Sequence, residues 1–470
     1  MLSLGVDCGT SKVAVAVVDQ AGAAVHSGSM LHHAQRPGAP GRFEQDGELI
    51  CRTATRLVRD VPEPIRQQVA AIGLTGQMHG VILHDDALQA RSALITWQDR
   101  RTLEDPAFLP SLRHPRALHA GYGIATLSWL ARRGELPGEV MAATIHGFIA
   151  ARWCAAGRSC IDPTDAQAWG GLLAVSDVPA GILPTCVDHG AKIGELSRQA
   201  AGELGLGAGI PIAAPLGDNQ ASLRATLVDP ASELAFTVGT GCQLAAVVPR
   251  GALSSYGTSD LRPFDARHDV LVAAPLCGGA AWLWLAERAI SWIEDLGLPA
   301  PTLDEALGRL DRLGLAADDR LVMRPHLAGE RHDPRLTGSL SGLTLDNGRI
   351  GEIARALARG IAATAREMLP AAAWHGRIRL MASGNALRRS ALLRTMAEAE
   401  LGLPLVLREP CEEAAIGAAL VARALIEAAA QQGVCALGGG PAVPPQRERQ
   451  GAGPSAWTSS RTSASVIMRS

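Results

Sequence analysis

The chain has 470 residues, 47% of them hydrophobic and 19% charged, a balance that fits two or three globular domains and excludes a disordered chain. Its 44 basic and 46 acidic side chains leave a net charge of −2, which argues against nucleic acid or an anionic membrane as the main partner. Lys12 and Lys192 are the only lysines and neither follows a glycine, so the Gly-Lys of a Walker A loop and the lysine of a protein-kinase VAIK motif are both excluded.

The N-terminus has no basic start followed by an apolar run, and no uncharged apolar stretch of about 18 residues occurs anywhere, so neither a signal peptide nor a membrane span is expected and a soluble cytoplasmic protein is. Residues 2–6 and 13–18 predict two strands around the turn Asp7-Cys8-Gly9-Thr10-Ser11-Lys12, with a further turn at Asp19-Gln20-Ala21-Gly22. His32-His33 has no third ligand at metal spacing and reads as a loop. A helix is expected over 46–61, stopped by Pro62 and Pro64. A buried strand follows over 69–74, breaking at Thr75-Gly76, then a short strand over 81–83. Residues 100–190 show no clear period. The apolar run 210–216 leads into Gly217-Asp218-Asn219-Gln220, and 234–238 and 243–248 predict strands on either side of Gly239-Thr240-Gly241. A helix over 279–296 carries Trp282, Trp284 and Trp292, expected in the core. Another helix spans 350–368. A strand over 378–382 enters Ser383-Gly384-Asn385-Ala386, and a last helix covers about 412–430. Residues 433–470, rich in Gly, Pro, Ser, Thr and Arg, read as a disordered tail. The nine cysteines are odd in number and contain no C-x-x-C pair, which disfavours a disulfide framework or structural zinc.

Strand, Gly-Thr turn, strand thus occurs twice. Aligned on Gly9-Thr10 and Gly239-Thr240, Asp7 falls opposite Thr237, so the chain reads as two versions of one α/β unit with a carboxylate in the first only. Backbone N–H groups at such turns approach an anion closely and the hydroxyls add donors. Two turns facing each other across a cleft would grip a polyphosphate; each alone is equally an ordinary hairpin turn. Asp7, at a strand end, suits Mg²⁺, directly or through water. Asp218 ends a buried strand, where α/β proteins place catalytic groups, and is either a general base for a substrate hydroxyl or a helix N-cap. Gln77 and His79 in Thr75-Gly76-Gln77-Met78-His79-Gly80 offer donors and acceptors to sugar hydroxyls; a satisfied structural histidine is the alternative. In Thr96-Trp97-Gln98-Asp99-Arg100-Arg101, Trp97 suits an apolar substrate face and Asp99 accepts hydroxyl hydrogen bonds, unless the segment is a surface turn with an Asp–Arg pair. The glycine of Ser383-Gly384-Asn385 lets a base or ribose lie on the backbone, or makes a tight turn. Gly205-Leu206-Gly207 continues to Ile210, not glycine, and gives dinucleotide binding little support.

In this order the segments DCGTSK, GLTGQMHG, ITWQDRR, GDNQ, VGTG and SGNA resemble the FGGY carbohydrate kinases, of the actin and hexokinase ATPase superfamily, over residues 3–425. The GQMHG segment with a Trp-x-Asp loop, and Gly329-Glu330-Arg331-His332, are similar to the ketose kinases of sedoheptulose and, next, of xylulose. The resemblance implies an α/β fold of two ribonuclease-H-like domains around a central cleft, with boundaries at 1–222 and 223–432 before the tail. It implies ATP and Mg²⁺ as cofactors and phosphoryl transfer to the terminal primary hydroxyl of a ketose. It puts the base role on Asp218 and magnesium near Asp7. Thr10, Ser11, Lys12, Gly239, Thr240, Gly279, Gly384 and Asn385 fall on the nucleotide side, and Gln77, Met78, His79, Trp97, Asp99 and Asn219 on the sugar side. Two departures stand out: Gly-Thr-Gly where many relatives have Gly-Thr-Ser, and Ser-Gly-Asn where Gly-Gly-Gly is frequent. The expected partners are a small sugar and ATP, with no nucleic acid and no membrane; a homodimer is compatible with the sequence. The rival readings are a non-catalytic sugar or nucleotide sensor, disfavoured by Asp7 and Asp218, and an ATPase-driven assembly protein, disfavoured by the loops at 75–80 and 96–99.

Overall fold

The computed structural model describes residues 1–114, 118–156, 158–171, 177–331, 333–409 and 411–437. Met1–Glu427 form one compact unit, with Ala428–Ser470 a separate C-terminal segment. Two mixed sheets organise the large unit. The first is built on β1 (Leu2–Cys8), β2 (Lys12–Val18), β3 (Ala24–Leu31), β4 (Val69–Gly76), β5 (Lys192–Glu195), β6 (Pro211–Ala213) and β7 (Leu216–Gly217), in the order β5-β6-β4-β1-β2-β3, with β7 also on β4. The second contains β8 (Glu233–Val238), β9 (Cys242–Pro249), β10 (Asp260–Pro263), β11 (His268–Ala273), β12 (Arg379–Ser383) and β13 (Leu405–Leu407), in the order β10-β11-β9-β8-β12-β13.

The expected repeat is real at the level of topology. β1 pairs antiparallel with β2 and parallel with β4; β8 pairs antiparallel with β9 and parallel with β12. Each hairpin closes over three residues, Gly9–Ser11 and Gly239–Gly241. Near-continuous apolar runs make both strands of each hairpin buried on two faces, as expected for sheets covered by helices. The helix α1 (Gly47–Arg59) starts where a side-chain cap is available: Asp46 accepts from Leu49 N. It lays Ile50, Ala54, Leu57 and Val58 into the first core.

Two helices join the sheets. α4 (Asp218–Thr226) follows β7; its Ala221 packs with Ala71 and Leu216 of the first sheet, and its Leu223 with Ala235, Ala245 and Val247 of the second. (Among the helices that precede it in the chain are α2, Ile145–Cys154, and α3, Pro163–Ala168.) The last helix of the chain, Glu413–Leu437, returns to the first sheet and sets Ala415 and Ala419 against Ala14, Ala16 and Val18. Small residues make that approach possible: a Cβ on Gly5 would lie 1.8 Å from Ala415 O, and one on Gly73 2.1 Å from Ala418 O. Such overlaps cannot be relieved without moving backbone, so these sheet positions admit only glycine.

Several expectations change. β4 continues through Thr75 and Gly76, because Thr75 Oγ1 donates to Leu216 O at 2.7 Å and both residues pair with β7. The short strand expected at 81–83 is Ile82–His84, paired with Met141–Ala143. Trp292 is 49% exposed on α5 (Gly279–Asp295) rather than in the core; Trp282 is buried and Trp284 partly so. The last helix runs to Leu437, so the first residues of the expected tail are helical; 438–470 lie outside the described residues. No helix among the described residues is long and apolar enough to cross a membrane.

Candidate active site

A cavity of about 1390 Å³ lies between the sheets, lined from both halves. Its floor carries two carboxylates. Asp7 ends β1 and Asp218 opens α4, and Cys8, Gly76 and Gly217 lie side by side across β1, β4 and β7, so the sheet register brings the two acids to neighbouring strand ends. The N-cap of α4 is Gly217, not Asp218, which is the first residue of the helix and accepts from the backbone of Asn219; its carboxylate faces the cavity. Burial, with Asp7 and then Asp165 nearby, raises the Asp218 pKa from 3.8 to about 7. Burial raises Asp7 to about 6, with Glu412 adding to it and His146 opposing. A carboxyl poised near neutrality can take a proton from an alcohol and hold it.

Of the two glycine turns, the second lines this cavity. Gly239 and Thr240 line the cavity, and their carbonyls accept from Gly279 N at 2.8 Å and Ala280 N at 2.9 Å, which fixes the start of α5 beside them. Gly384 and Asn385 line the same side. Gly384 has φ +101°, and a Cβ there would meet Val238 O at 2.3 Å, so the loop after β12 lies directly on the end of β8. Thr237, the counterpart of Asp7, pairs its hydroxyl with Ser383 Oγ at 2.8 Å. On the first turn, Lys12 lines the cavity and is bound to Glu412 at 2.6 Å. The Thr10 hydroxyl accepts from the Trp97 indole at 3.0 Å and the Thr10 carbonyl from Gln45 Nε2 at 2.6 Å. Thr10 and Ser11 are not among the cavity-lining residues; Thr10 instead ties the turn to its surroundings.

Of the residues expected on the sugar side, Met78, His79, Trp97 and Asn219 reach the cavity. His79 adopts φ +72°, a conformation a non-glycine residue holds only under external constraint. The constraints are visible: its Nδ1 bonds to Ala168 O and its ring stacks on Tyr122 with centroids 4.9 Å apart. Nδ1–H therefore donates, and Nε2 is left as an acceptor. Burial lowers the His79 pKa to about 4, so the ring is neutral at working pH. Asn219 donates to Gln243 Oε1 at 3.2 Å and keeps a buried Oδ1 with no partner.

Two expected sugar ligands lie elsewhere. Asp99 is buried and away from the cavity; its oxygens accept from Phe43 N, Arg101 N, Nε and Nη2 at 2.7–2.9 Å. Arg101, also bound to Glu44, uses its charge fully, so the Asp–Arg alternative holds, in a buried form. Gln77 is likewise buried behind the wall, donating to Gln45 Oε1 at 2.9 Å and thereby bracing the first turn. Residues the motifs did not single out also line the cavity: Gln243, Arg262, Asp304, Asp311, Arg388 and Glu412. Arg331 lines it too and was visible only inside Gly329-Glu330-Arg331-His332; His332 lies outside the described residues.

Residues 2–224 match the N-terminal domain of the FGGY family of carbohydrate kinases, and residues 235–425 match its C-terminal domain. The chain belongs to that family. It is accordingly a sugar kinase with the two-domain FGGY fold, in a family that uses ATP. Sedoheptulokinase of Homo sapiens is 30% identical over 471 residues, covering 89% of this chain and 97% of that protein. A xylulose kinase structure from Rhodospirillum rubrum has a TM-score of 0.75 at 22% identity, covering 91% of this chain and 90% of that one. A glycerol kinase structure with ADP from Plasmodium falciparum has a TM-score of 0.73 at 18% identity, covering 91% and 90%. The last two are likenesses of fold. The FGGY boundary at 224 to 235 places α4 and its Asp218 at the end of the first domain.

Proposed function

We propose that this kinase phosphorylates the terminal primary hydroxyl of a ketose, sedoheptulose before xylulose, with Asp218 as general base. The observation that carries the proposal is the position of Asp218: a carboxyl of pKa about 7 on the floor of a cavity also lined by the Gly239-Thr240 turn and the Gly384-Asn385 loop. The 30% identity to a sedoheptulokinase supports the choice of sugar. Bound nucleotide supplies the phosphoryl group, and magnesium neutralises its charge. The residues fit both: Asp7 Oδ1 is buried with no partner, which suits a magnesium ion that keeps most of its waters, and Gly239, Thr240, Gly384 and Asn385 offer a side-chain-poor wall.

In this reading His79 Nε2 accepts from one sugar hydroxyl, Asn219 Oδ1 from another, and Trp97 covers a carbon face. These contacts hold the reacting hydroxyl beside Asp218, which takes its proton as the oxygen attacks. Positioning and fixed charge supply most of the acceleration in such transfers. Lys12 exchanges Glu412 for a phosphate. An ADP-coupled screen of sedoheptulose, xylulose, ribulose, fructose and glycerol tests the reading. The highest kcat/KM is expected for sedoheptulose. A preference for xylulose moves the assignment to the five-carbon ketose, and no turnover with any acceptor leaves the sensor in its place.

A further inference from the structure

His146 and Asp165 form an ion pair without exposed surface, Nε2 to Oδ2 2.6 Å. Neither residue belongs to a motif used above; they come from α2 and α3. Their placement is nevertheless tied to the site floor at three points. A Cβ on Gly76 would lie 2.8 Å from His146 Nδ1 and 2.8 Å from Cys8 O, so the ring fills the space left by the missing side chain. That glycine is the middle member of the row Cys8, Gly76, Gly217, whose outer members adjoin Asp7 and Asp218. Gly217 N in turn donates to Thr164 Oγ1 at 2.9 Å, which anchors α3 to the same row. The far end of α3 holds His79 through Ala168 O.

A fully buried ion pair is a poor device for stability, since desolvation offsets its attraction. This one also leaves His146 Nδ1 and Asp165 Oδ1 buried without partners, a cost that native structures rarely carry without a use. The groups facing it are acidic: Asp218 from α4, Asp7 from β1 and Asp162 from the cap of α3. The nearby cations are engaged elsewhere. Lys12 is bound to Glu412, and Arg224 lies beyond Asp162, whose carboxylate accepts from His189.

The geometry points to His146, held by Asp165, as a positioning residue for phosphoryl transfer: the buried pair fills the space beneath Gly76 and, through the row Cys8, Gly76 and Gly217, fixes where Asp7 and Asp218 stand. The role rests on the reading of Asp218 as base. Burial opposes charge on the ring, and Asp165, then Asp218 and Asp162, outweigh it, so its pKa moves up; burial moves Asp165 up as well. The pair thus retains its proton. His146 favours the ionised form of Asp7, whereas at Asp218 the charge of Asp165 outweighs it, so the pair acts on the two carboxylates together through its packing under their strand ends.

His146→Gln and Asp165→Asn, each checked for folding by thermal unfolding, test the role. Loss of the pair is expected to lower kcat about tenfold or more, the effect of a small misplacement of the base, with KM for sugar and ATP within about threefold. The double variant is expected to lose no more than the worse single one, because the two act as a unit. Neutron diffraction from wild-type crystals grown near neutral pH reads the charge directly and needs neither a variant nor a known sugar; deuterons are expected on both ring nitrogens of His146. A ring with one deuteron, a kcat within twofold in folded variants, a loss confined to KM, or additive losses would each overturn the proposal. The diffraction result stands even where no tested sugar is turned over, which separates this failure from failure of the ketose reading.

Discussion

Replacing Asp218 with Asn should do two opposite things. The side chain keeps its shape and loses its ability to accept a proton. General-base contributions are typically about 10²–10⁴-fold, or roughly 3–5 kcal/mol of barrier, so turnover should fall by that factor. Sugar KM should stay within about threefold, because binding is assigned to His79, Asn219 and Trp97. Stability should move the other way. The folded state raises this carboxyl from 3.8 to about 7, so it binds the proton more tightly than the unfolded chain does. The resulting stabilisation is complete below about pH 4 and is lost as pH rises through about 7, up to roughly 4 kcal/mol for a shift of about three units. Asp218→Asn removes that penalty. The variant should therefore melt higher than wild type at about pH 8, and the difference should vanish toward about pH 4. The same pKa sets the wild-type pH profile: kcat/KM should rise through about pH 7 and flatten above it, with roughly a tenfold drop one unit below. ADP-coupled kinetics and thermal melts across this range supply both readouts. Turnover within about tenfold of wild type would remove Asp218 as the base, and a variant that melts lower at high pH would show that its burial carries no such penalty.

Three further outcomes follow from the site. His79→Asn keeps a residue tolerant of φ +72° and removes the Nε2 acceptor, so calorimetry should show sugar affinity falling about tenfold, one hydrogen bond's worth, with ATP affinity unchanged. Asp99→Asn breaks a buried Arg pair, so urea unfolding should report a loss of about 3 kcal/mol or more; sugar KM should barely move, and a large KM change with intact stability would return Asp99 to the sugar. Gly384→Ala puts a methyl group 2.3 Å from Val238 O at φ +101°, a strain of roughly 1–3 kcal/mol that a fluorescent-nucleotide titration should read as weakened ATP binding with sugar binding retained.

What the sequence made legible is what local pattern encodes. The Gly-Thr turns sit between β-branched runs, Asp46 caps a helix three residues ahead of the N–H it accepts from, and Asp218 follows a buried strand; each is written within about ten residues. The α2–α3 region was not legible for a physical reason. α2 is buried on nearly every face, so its apolar residues carry no helical period, and the strands around it are two or three residues long. His146 and Asp165 meet only because those short elements cross, and no spacing rule links positions 19 apart to a glycine at 76. Asp99 shows the opposite error: a recognisable Trp-x-Asp loop suggested a ligand, while the arginine two residues on already claimed both oxygens.

The duplication accounts for the proposed placement of sugar and nucleotide on different sides of one cavity. The parallel strands β4 and β12 stand in the same relation to their hairpins, and the loops that leave them bring Met78 and His79, and Gly384 and Asn385, to the same cavity. Up to that point the halves are alike. Among the hairpin differences one sets the chemistry: Asp7 in the first, Thr237 in the second, where the hydroxyl is satisfied by Ser383. The first half adds Asp218 beside Asp7; the second adds side-chain-free backbone. A polyanion is repelled by the first wall unless a metal ion intervenes and is tolerated by the second, whereas a neutral alcohol loses nothing at the first and gains a proton acceptor there. Under the proposed reading, the floor carboxylates receive the alcohol and the glycine-rich loops the nucleotide, with the phosphoryl group facing the base.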